Sequence, residues 1–358
     1  MIYEHRLYQE DLEAVACEDI GWKELKGKSI LITGASGAIG TFFVDVLMKR
    51  NEIYHDAIKI YALSRNIEKL KNRFKQYLDY PCLVLIEQDV SKEFFLEGYH
   101  FDFVIHAASN THPKEYLNDP VGTITANIFG SYYLLEYVRK QKKCRFVLLS
   151  SVEVYGENRG DVKYFNENYC GYLDCNTLRA GYPESKRVAE SLFQSYIEQY
   201  GVEGVVVRLC RIYGPTMEED DSKAISQFVH KAVVGEDIVL KSAGDQFYSY
   251  IYVADAVKAI LQCMLKGKSG EAYNVANNTS DTTLKGLAQL LAQMINKTVV
   301  LELPDISERK GYSIATRAVL NAEKLKRQGW NPRYSLQDGL KRTLKILKDE
   351  GYWKKSVI

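Results

Sequence analysis

Tyr182 and Lys186 stand four residues apart in Tyr182-Pro-Glu-Ser-Lys186. On a helix that spacing sets both side chains on one face. A lysine cation beside a phenol favours the phenolate, so the expectation is a tyrosine pKa drawn down from about 10 towards the working range of a general acid/base. Pro183 suits the first turn of such a helix, where its missing donor costs little. Upstream, Ser150-Ser151-Val152-Glu153-Val154-Tyr155-Gly156 follows an apolar run with the pattern of a strand. Ser151 can hydrogen-bond a reacting oxygen, and Glu153 brings a carboxylate to the same cleft. Proton exchange with a hydroxyl is the chemistry these residues suit.

A second set is suited to holding an anion. Ser29-Ile-Leu-Ile-Thr-Gly34-Ala-Ser36-Gly37-Ala38-Ile39-Gly40 passes from an apolar strand straight into an amphipathic helix. Glycines at these points permit a tight turn, close approach of backbone to a diphosphate, and close packing of helix on strand. The amides at the helix start favour the pyrophosphate of a dinucleotide. The next strand ends Ala62-Leu63-Ser64-Arg65. A carboxylate there grips a ribose 2′-hydroxyl, whereas arginine accommodates a 2′-phosphate. With no acid present, Arg65 favours NADP(H) over NAD(H). Asp89 and Val90, after the third strand, are candidates for the adenine edge, with a capping role as the alternative for Asp89.

These residues need a scaffold that gathers strand ends. Candidate strands lie at 29–33, 59–64, 83–87, 103–106, 145–150 and 205–209, with helical patterns at 39–49, 67–77, 121–138 and 182–200. Short β-branched runs alternating with helices predict a doubly wound parallel α/β sheet of six strands, a Rossmann fold. Residues 1–27 are expected to form an N-terminal helical extension lying on the surface, and 28–213 the dinucleotide-binding domain. Residues 214–358 are expected to form mainly a smaller α+β substrate-binding lobe, with 245–266 returning to the first domain.

Bulk properties narrow the class. The chain has 358 residues, 46% hydrophobic and 26% charged, an ordinary globular mix. A formal net charge of +1 gives no field to recruit nucleic acid or an anionic membrane. Seven scattered cysteines, Cys170 and Cys175 included, show no metal-binding spacing and no disulfide framework. No apolar signal core opens the chain, and no run approaches the ~20 apolar residues of a membrane span. The expected setting is cytoplasmic.

Taken together, the motifs resemble the extended short-chain dehydrogenase/reductase family, also called the NAD-dependent epimerase/dehydratase family. The resemblance runs from Lys28 to about Leu347. It rests on the Gly34/Gly37/Gly40 turn, His106-Ala107-Ala108-Ser109, Asn127-Ile-Phe-Gly130, Ser151, Tyr182/Lys186, Tyr213-Gly-Pro215, Tyr252-Val-Ala-Asp255 and Leu325-Lys-Arg-Gln-Gly329-Trp330. It implies that Tyr182 exchanges a proton with a sugar hydroxyl while the nicotinamide takes or gives the hydride. Lys186 is then expected to hold the nicotinamide ribose, Ser151 to complete the relay, and Asn127 to position the lysine. Ala107, Ala108 and Ser109 join the cofactor contacts. A nucleotide-sugar substrate and a homodimer, pairing helices 121–138 and 182–200 across a two-fold axis, are also implied.

Within the family, the segment around Leu178-Arg179-Ala-Gly-Tyr182 and the Ser151/Glu153 pair look most like the UDP-glucuronate decarboxylase branch, with Arg179 facing the substrate. A 4,6-dehydratase is expected to carry an Asp-Glu pair, and Val152 occupies the Asp position. Two positions depart from the decarboxylase pattern: its arginine before Tyr-Ile-Tyr-Val is Tyr248 here, and its Asn before Tyr-Gly-Pro is Arg211. Arg211 is expected to supply the lost charge from another wall of the cleft, the alternative being a structural ion pair. On these departures the sequence favours epimerase-type chemistry by transient C4 oxidation, ahead of decarboxylation and 4-ketosugar reduction. A fold that binds the cofactor without catalysis is the competing class, and the presence of Ser151, Tyr182 and Lys186 together argues against it.

Overall fold

In the computed structural model, the described residues are 1–93, 96, 98–302 and 315–353. In chain order they form α1 (Arg6–Ala16), β1 (Ser29–Thr33), α2 (Ala38–Tyr54), β2 (Lys59–Ser64), α3 (Ile67–Arg73), β3 (Leu83–Glu87), β4 (Phe103–His106), α4 (Pro113–Asn118), α5 (Pro120–Val138), β5 (Arg145–Ser151), α6 (Gly181–Tyr200), β6 (Glu203–Leu209) and β7 (Arg211–Tyr213). Then follow α7 (Ala224–Val233), β8 (Ile238–Leu240), β9 (Phe247–Tyr248), β10 (Tyr250–Tyr252), α8 (Val253–Lys266), β11 (Ala272–Val275), β12 (Thr282–Thr283), α9 (Leu284–Met294), β13 (Val299–Leu301), β14 (Arg317–Ala318), α10 (Glu323–Lys326) and α11 (Leu336–Asp349).

The main sheet is parallel, in the order β11-β6-β5-β4-β1-β2-β3. Its central strands are buried on both faces, which is why Ile30, Leu31 and Ile32, or Phe146 through Leu149, read as continuous apolar runs. The sheet has seven strands where the sequence predicts six. The seventh, β11, pairs Ala272–Val275 with Val206–Leu209 and comes from the stretch assigned to the smaller lobe. Consecutive strands reverse direction of travel at β1, between β4 and β2, so the switch point opens above the β1 carboxyl end.

The short strands outside this sheet form three small ones: β10 with β7, β12 with β9 and β14, and β13 with β8. The N-terminal helix α1 buries Tyr8, Leu12 and Val15 against the main core. Each large side chain buried in this way contributes about 1.5–3 kcal/mol. Two polar ties add direction: Tyr8 donates to Asp45 at 2.6 Å, and Tyr252 donates to Asp11 at 2.6 Å. Among the described residues, no helix is long and apolar enough to cross a membrane.

Candidate active site

The glycine turn lies at the carboxyl end of β1. Gly34 has φ +66° and passes so close to the β4 end that a Cβ would sit 2.8 Å from the Ala108 backbone. A Cβ on Gly40 would meet the Gly34 carbonyl oxygen at 2.5 Å and Ala35 Cα at 2.6 Å. Packing within the chain therefore demands these two glycines. Gly37 differs: its φ of −78° suits any residue, and its Cβ would meet only the Gly34 oxygen, at 3.4 Å. No side chain caps the start of α2, where Ala38, Ile39 and Gly40 present the first-turn amides. An open cradle at Gly37 below an uncapped helix start fits a bound diphosphate.

The flanking strand ends supply the rest of this set. Ser36 and Ser64 share a 3.0 Å hydroxyl contact between the β1 and β2 ends. Arg65 is exposed and reaches Asn110 Oδ1 at 3.4 Å. Asp89 accepts from the Ser91 amide at 2.9 Å and hydroxyl at 2.8 Å. Burial pushes its carboxyl up, but those bonds and the Arg65 charge hold it below its ordinary value. Asp89 thus caps its own turn through Oδ1. Val90 is buried against Gly130 of α5. Beyond β4, Thr33 Oγ1 accepts from the Ala108 amide at 3.2 Å and contacts His106 Nδ1 at 3.0 Å. Burial, with the Lys186 charge adding, brings His106 down to about 3, so its ring is neutral.

Tyr182 and Lys186 lie in the first turns of α6, both buried. Ser151 at the β5 end lies beside the Tyr182 phenol, close enough to draw its pKa down. Lys186 Nζ donates to the Leu149 carbonyl at 3.0 Å and lies 6.0 Å from the Tyr182 ring centroid. The expected drop in the tyrosine pKa is not what the chain itself imposes. Burial pushes Tyr182 up to about 12, with Ser151 pulling the other way. Burial also brings Lys186 down to about 8, opposed by the charge of Glu190. Desolvation outweighs the lysine effect because both groups sit beneath the sheet edge rather than in water.

Asn127 does not bond the lysine either. Its side chain links Ser109 at 2.8 Å to Ser185 at 2.9 Å, and Ser185 Oγ donates to the Tyr182 carbonyl at 2.8 Å. Asn127 therefore steadies the backbone of the first α6 turn. On the other side, Glu190 accepts from Ser150 Oγ at 2.5 Å and from Arg208 at 2.6 Å, and Arg208 also donates to Tyr155 at 3.0 Å. This network pins α6 to β5 and β6 directly below the Ser151 end.

Glu153 and Arg179 pair with each other at 2.8 Å. Arg179 is largely buried, and its Nε and Nη1 make no hydrogen bond in the structure. The guanidinium lies 4.8 Å over the Tyr116 ring, and Tyr116 stacks on Tyr182 with centroids 5.0 Å apart. A cavity beside this array is lined by Val152, Glu153, Arg179, Pro183, Ala315 and Ala318, among others. Tyr116 is absent from the sequence reading: its helix, α4, has six residues, too few to show a period. The one signal was Pro113 at its first position.

Arg211 and Tyr248 also come together. The guanidinium carbon lies 3.3 Å from the Tyr248 ring centroid, and Arg211 makes no ion pair among the described residues. Its Nη1 is buried without a hydrogen-bond partner. The structural ion pair considered for it is thus replaced by a cation–π contact. The Tyr248 hydroxyl donates to the Ala315 carbonyl at 2.8 Å, on the wall of the same cavity.

A doubly wound sheet with a serine at the β5 end and a Tyr-Lys pair on the following helix defines an extended short-chain dehydrogenase/reductase. Comparison with known proteins gives its place: residues 30–276 match the NAD dependent epimerase/dehydratase family, and the chain belongs to that family. UDP-glucuronic acid decarboxylase 6 of Arabidopsis thaliana is 30% identical over 316 residues, 87% of this chain and 86% of that protein. UDP-glucuronic acid decarboxylase 1 of Xenopus tropicalis is 28% identical over 327 residues, 90% of this chain and 73% of that protein. Among solved structures, UDP-glucose 4-epimerase of Thermotoga maritima, determined with UDP-glucose, superposes with a TM-score of 0.75. That pair is 25% identical, covering 90% of this chain and 99% of the other. A dTDP-glucose 4,6-dehydratase of Bacillus anthracis, determined with NAD, shares the fold at a TM-score of 0.77 and 24% identity, covering 92% and 99%.

Proposed function

We propose that this enzyme remodels the sugar of a nucleotide-sugar through transient oxidation at C4, and that its substrate is a nucleotide-linked hexuronate that loses its carboxyl group. The observation that carries the shared chemistry is Tyr182 buried between Ser151 and the Lys186-bearing turn, across the sheet edge from the Gly37 cradle. A bound nicotinamide supplies the hydride acceptor at C4 and the donor for its return. Tyr182, as its phenolate, takes the C4 hydroxyl proton beside Ser151, and gives it back when the ketone is reduced. Lys186, positively charged below about pH 8, offers its cation to that phenolate before it takes the proton and again after it returns it. A ketone at C4 is β to the C5 carboxyl, so the C5–carboxyl bond breaks with release of CO2 and the electron pair stays on C5. A proton then adds at C5.

Decarboxylation gains over the reading favoured from sequence because its objection was a missing guanidinium. Arg211, stacked on Tyr248, supports a restored cation beside that position. The decarboxylase relatives at up to 30% identity support the same reading. Epimerisation at C4 is the second reading, supported by the Thermotoga maritima epimerase at 25% identity. The dinucleotide is NAD(P), held at Gly34, Ser36, Gly37, Ala38, Ile39, Gly40, Ser64, Arg65, Val90, Ala107, Ala108 and Ser109. Arg65, exposed at the β2 end, supports NADP, whereas the Bacillus anthracis relative was determined with NAD. A homodimer through α5 and α6 is supported by exposed Val121, Phe129 and Tyr132 on one helix and Val188 on the other.

The test is to incubate the purified enzyme with UDP-glucuronate, UDP-glucose and further nucleotide-sugars and follow products by NMR. A pentose product with release of CO2 supports decarboxylation, and inversion at C4 supports the epimerase reading. No change in any sugar, with the dinucleotide bound, contradicts both.

A further inference from the structure

Residues 214–223 join β7 to α7 and touch three separate elements around the switch point. Thr216 Oγ1 donates to the carbonyl of Ala38, the first residue of α2, at 2.8 Å. The Thr216 carbonyl accepts from Arg73 of α3 at 3.3 Å, and Glu218 pairs with Lys69 of α3 at 2.7 Å. On the opposite flank, Asp221 meets His112 at 3.1 Å and Lys223 at 3.0 Å. Lys223 Nζ reaches Thr111 Oγ1 at 3.3 Å, and Ser222 Oγ accepts from the Lys114 amide at 3.1 Å.

The sheet order gives these contacts a common meaning. α3 follows β2, residues 111–114 follow β4, and α2 follows β1, which lies between them. The segment therefore crosses the carboxyl edge from the β2 side to the β4 side, passing the start of α2. A dinucleotide at a switch point lies along this same edge, its pyrophosphate at the helix start.

We propose that Glu218, Asp221 and Lys223 belong to the dinucleotide site as a latch, closing residues 214–223 over the bound cofactor so that it stays through turnover. The latch rests on reading the Gly34–Gly40 turn as the dinucleotide site. Its side chains engage both rims, Lys69 on one and His112 with Thr111 on the other, and leave the phosphate cradle to the α2 amides. The Glu218 side chain is 18% exposed and that of Asp221 7%, so solvent screens these pairs less than pairs in open water. Burial alone raises the Asp221 carboxyl, but the His112 hydrogen bond and the Lys223 charge hold it well below its ordinary value, so the latch is charged at neutral pH. Release of the dinucleotide then waits on freeing a rim, while a hydride passes back and forth beneath the closed segment. Such retention suits a reaction that returns the hydride to the sugar it came from.

The experiment loads the enzyme with NADH, mixes it with excess unlabelled NAD, and follows loss of protein-to-NADH energy transfer by stopped flow. Glu218→Gln or Lys69→Glu is expected to speed release about threefold, the scale of a partly exposed ion pair. Asp221→Asn, which loses two partners, is expected to speed it about tenfold. The paired swap, Lys69→Glu with Glu218→Lys, keeps the test sound where Asp221→Asn unfolds the loop, and it is expected to restore slow release. NADH that binds but leaves every variant at the wild-type rate overturns the latch alone. A swap as fast as its single variant overturns it too. Failure of wild type to bind NADH or NADPH overturns the site reading on which the latch rests, and the latch with it.

Discussion

Replacing Gly37 and Gly40 by alanine, one at a time, separates what the glycine turn does for the fold from what it does for a ligand. A Cβ on Gly40 falls 2.5 Å from the Gly34 oxygen, 2.6 Å from Ala35 Cα and 2.9 Å from the Ala35 oxygen, all backbone atoms. Relieving such overlap costs about 3 kcal/mol, and the helix preference of alanine returns only about 1 kcal/mol. Gly40→Ala is therefore expected to lose about 2 kcal/mol of stability with no ligand present. A Cβ on Gly37 meets one atom at 3.4 Å, and the local φ of −78° is ordinary for alanine. Its stability change is expected to stay within about 1 kcal/mol, since reduced unfolded-state freedom and a poorer helix N-cap oppose each other. That same methyl group enters the cradle. Displacing a diphosphate by an ångström loses one or two charge-assisted bonds of about 1.5–3 kcal/mol each, or at least about tenfold in affinity. Urea denaturation without ligand and fluorescence titration with NADH and NADPH read the two effects separately. Unchanged dinucleotide affinity in a well-folded Gly37→Ala variant would place the pyrophosphate elsewhere and refute the reasoning.

Arg211→Ala is expected to weaken nucleotide-sugar binding about tenfold or more, because its guanidinium has no carboxylate within the described chain; isothermal titration with intact affinity counts against its substrate role. Asp45, pushed up to about 7 by burial against the bond from Tyr8, gives stability a pH slope. Because its folded pKa is raised, its contribution is fully present below about pH 4 and is lost as pH rises through about 7, a change of up to about 4 kcal/mol. Asp45→Asn is expected to gain stability relative to wild type between pH 5.5 and 8 in urea midpoints, and parallel curves contradict that origin. Phe129→Arg with Val188→Arg is expected to convert a dimer into a monomer in sedimentation velocity; wild type that sediments only as a monomer removes the α5–α6 interface.

The main sheet was legible because its central strands are buried on both faces and its outer ones keep short apolar runs. Ser29–Thr33, Lys59–Ser64, Leu83–Glu87 and Phe103–His106 run as the apolar pattern predicts. β9, β12 and β14 have two residues each, too few for any alternation to show, so the small sheets were not legible. β11 lies in the stretch assigned to the smaller lobe, and sequence position could not reveal that Ala272–Val275 returns to pair with β6. At the site, Ser151, Tyr182 and Lys186 could be read because their spacing and strand-end setting follow local rules. The direction of the Tyr182 pKa could not, since it depends on burial by Tyr116 and the sheet edge. The link from Asn127 to Ser185 and the stacking of Arg211 on Tyr248 join residues 58 and 37 positions apart, beyond any local pattern.

Transient oxidation at C4 leaves an isotopic record. The most direct measurement supplies the substrate identified by the NMR panel with deuterium at C4, and follows the product by mass spectrometry and the cofactor by absorbance. Deuterium retained at C4 of the product, with no net change in the dinucleotide, is the predicted result. Deuterium lost to water, or one equivalent of dinucleotide consumed per sugar, would contradict the account.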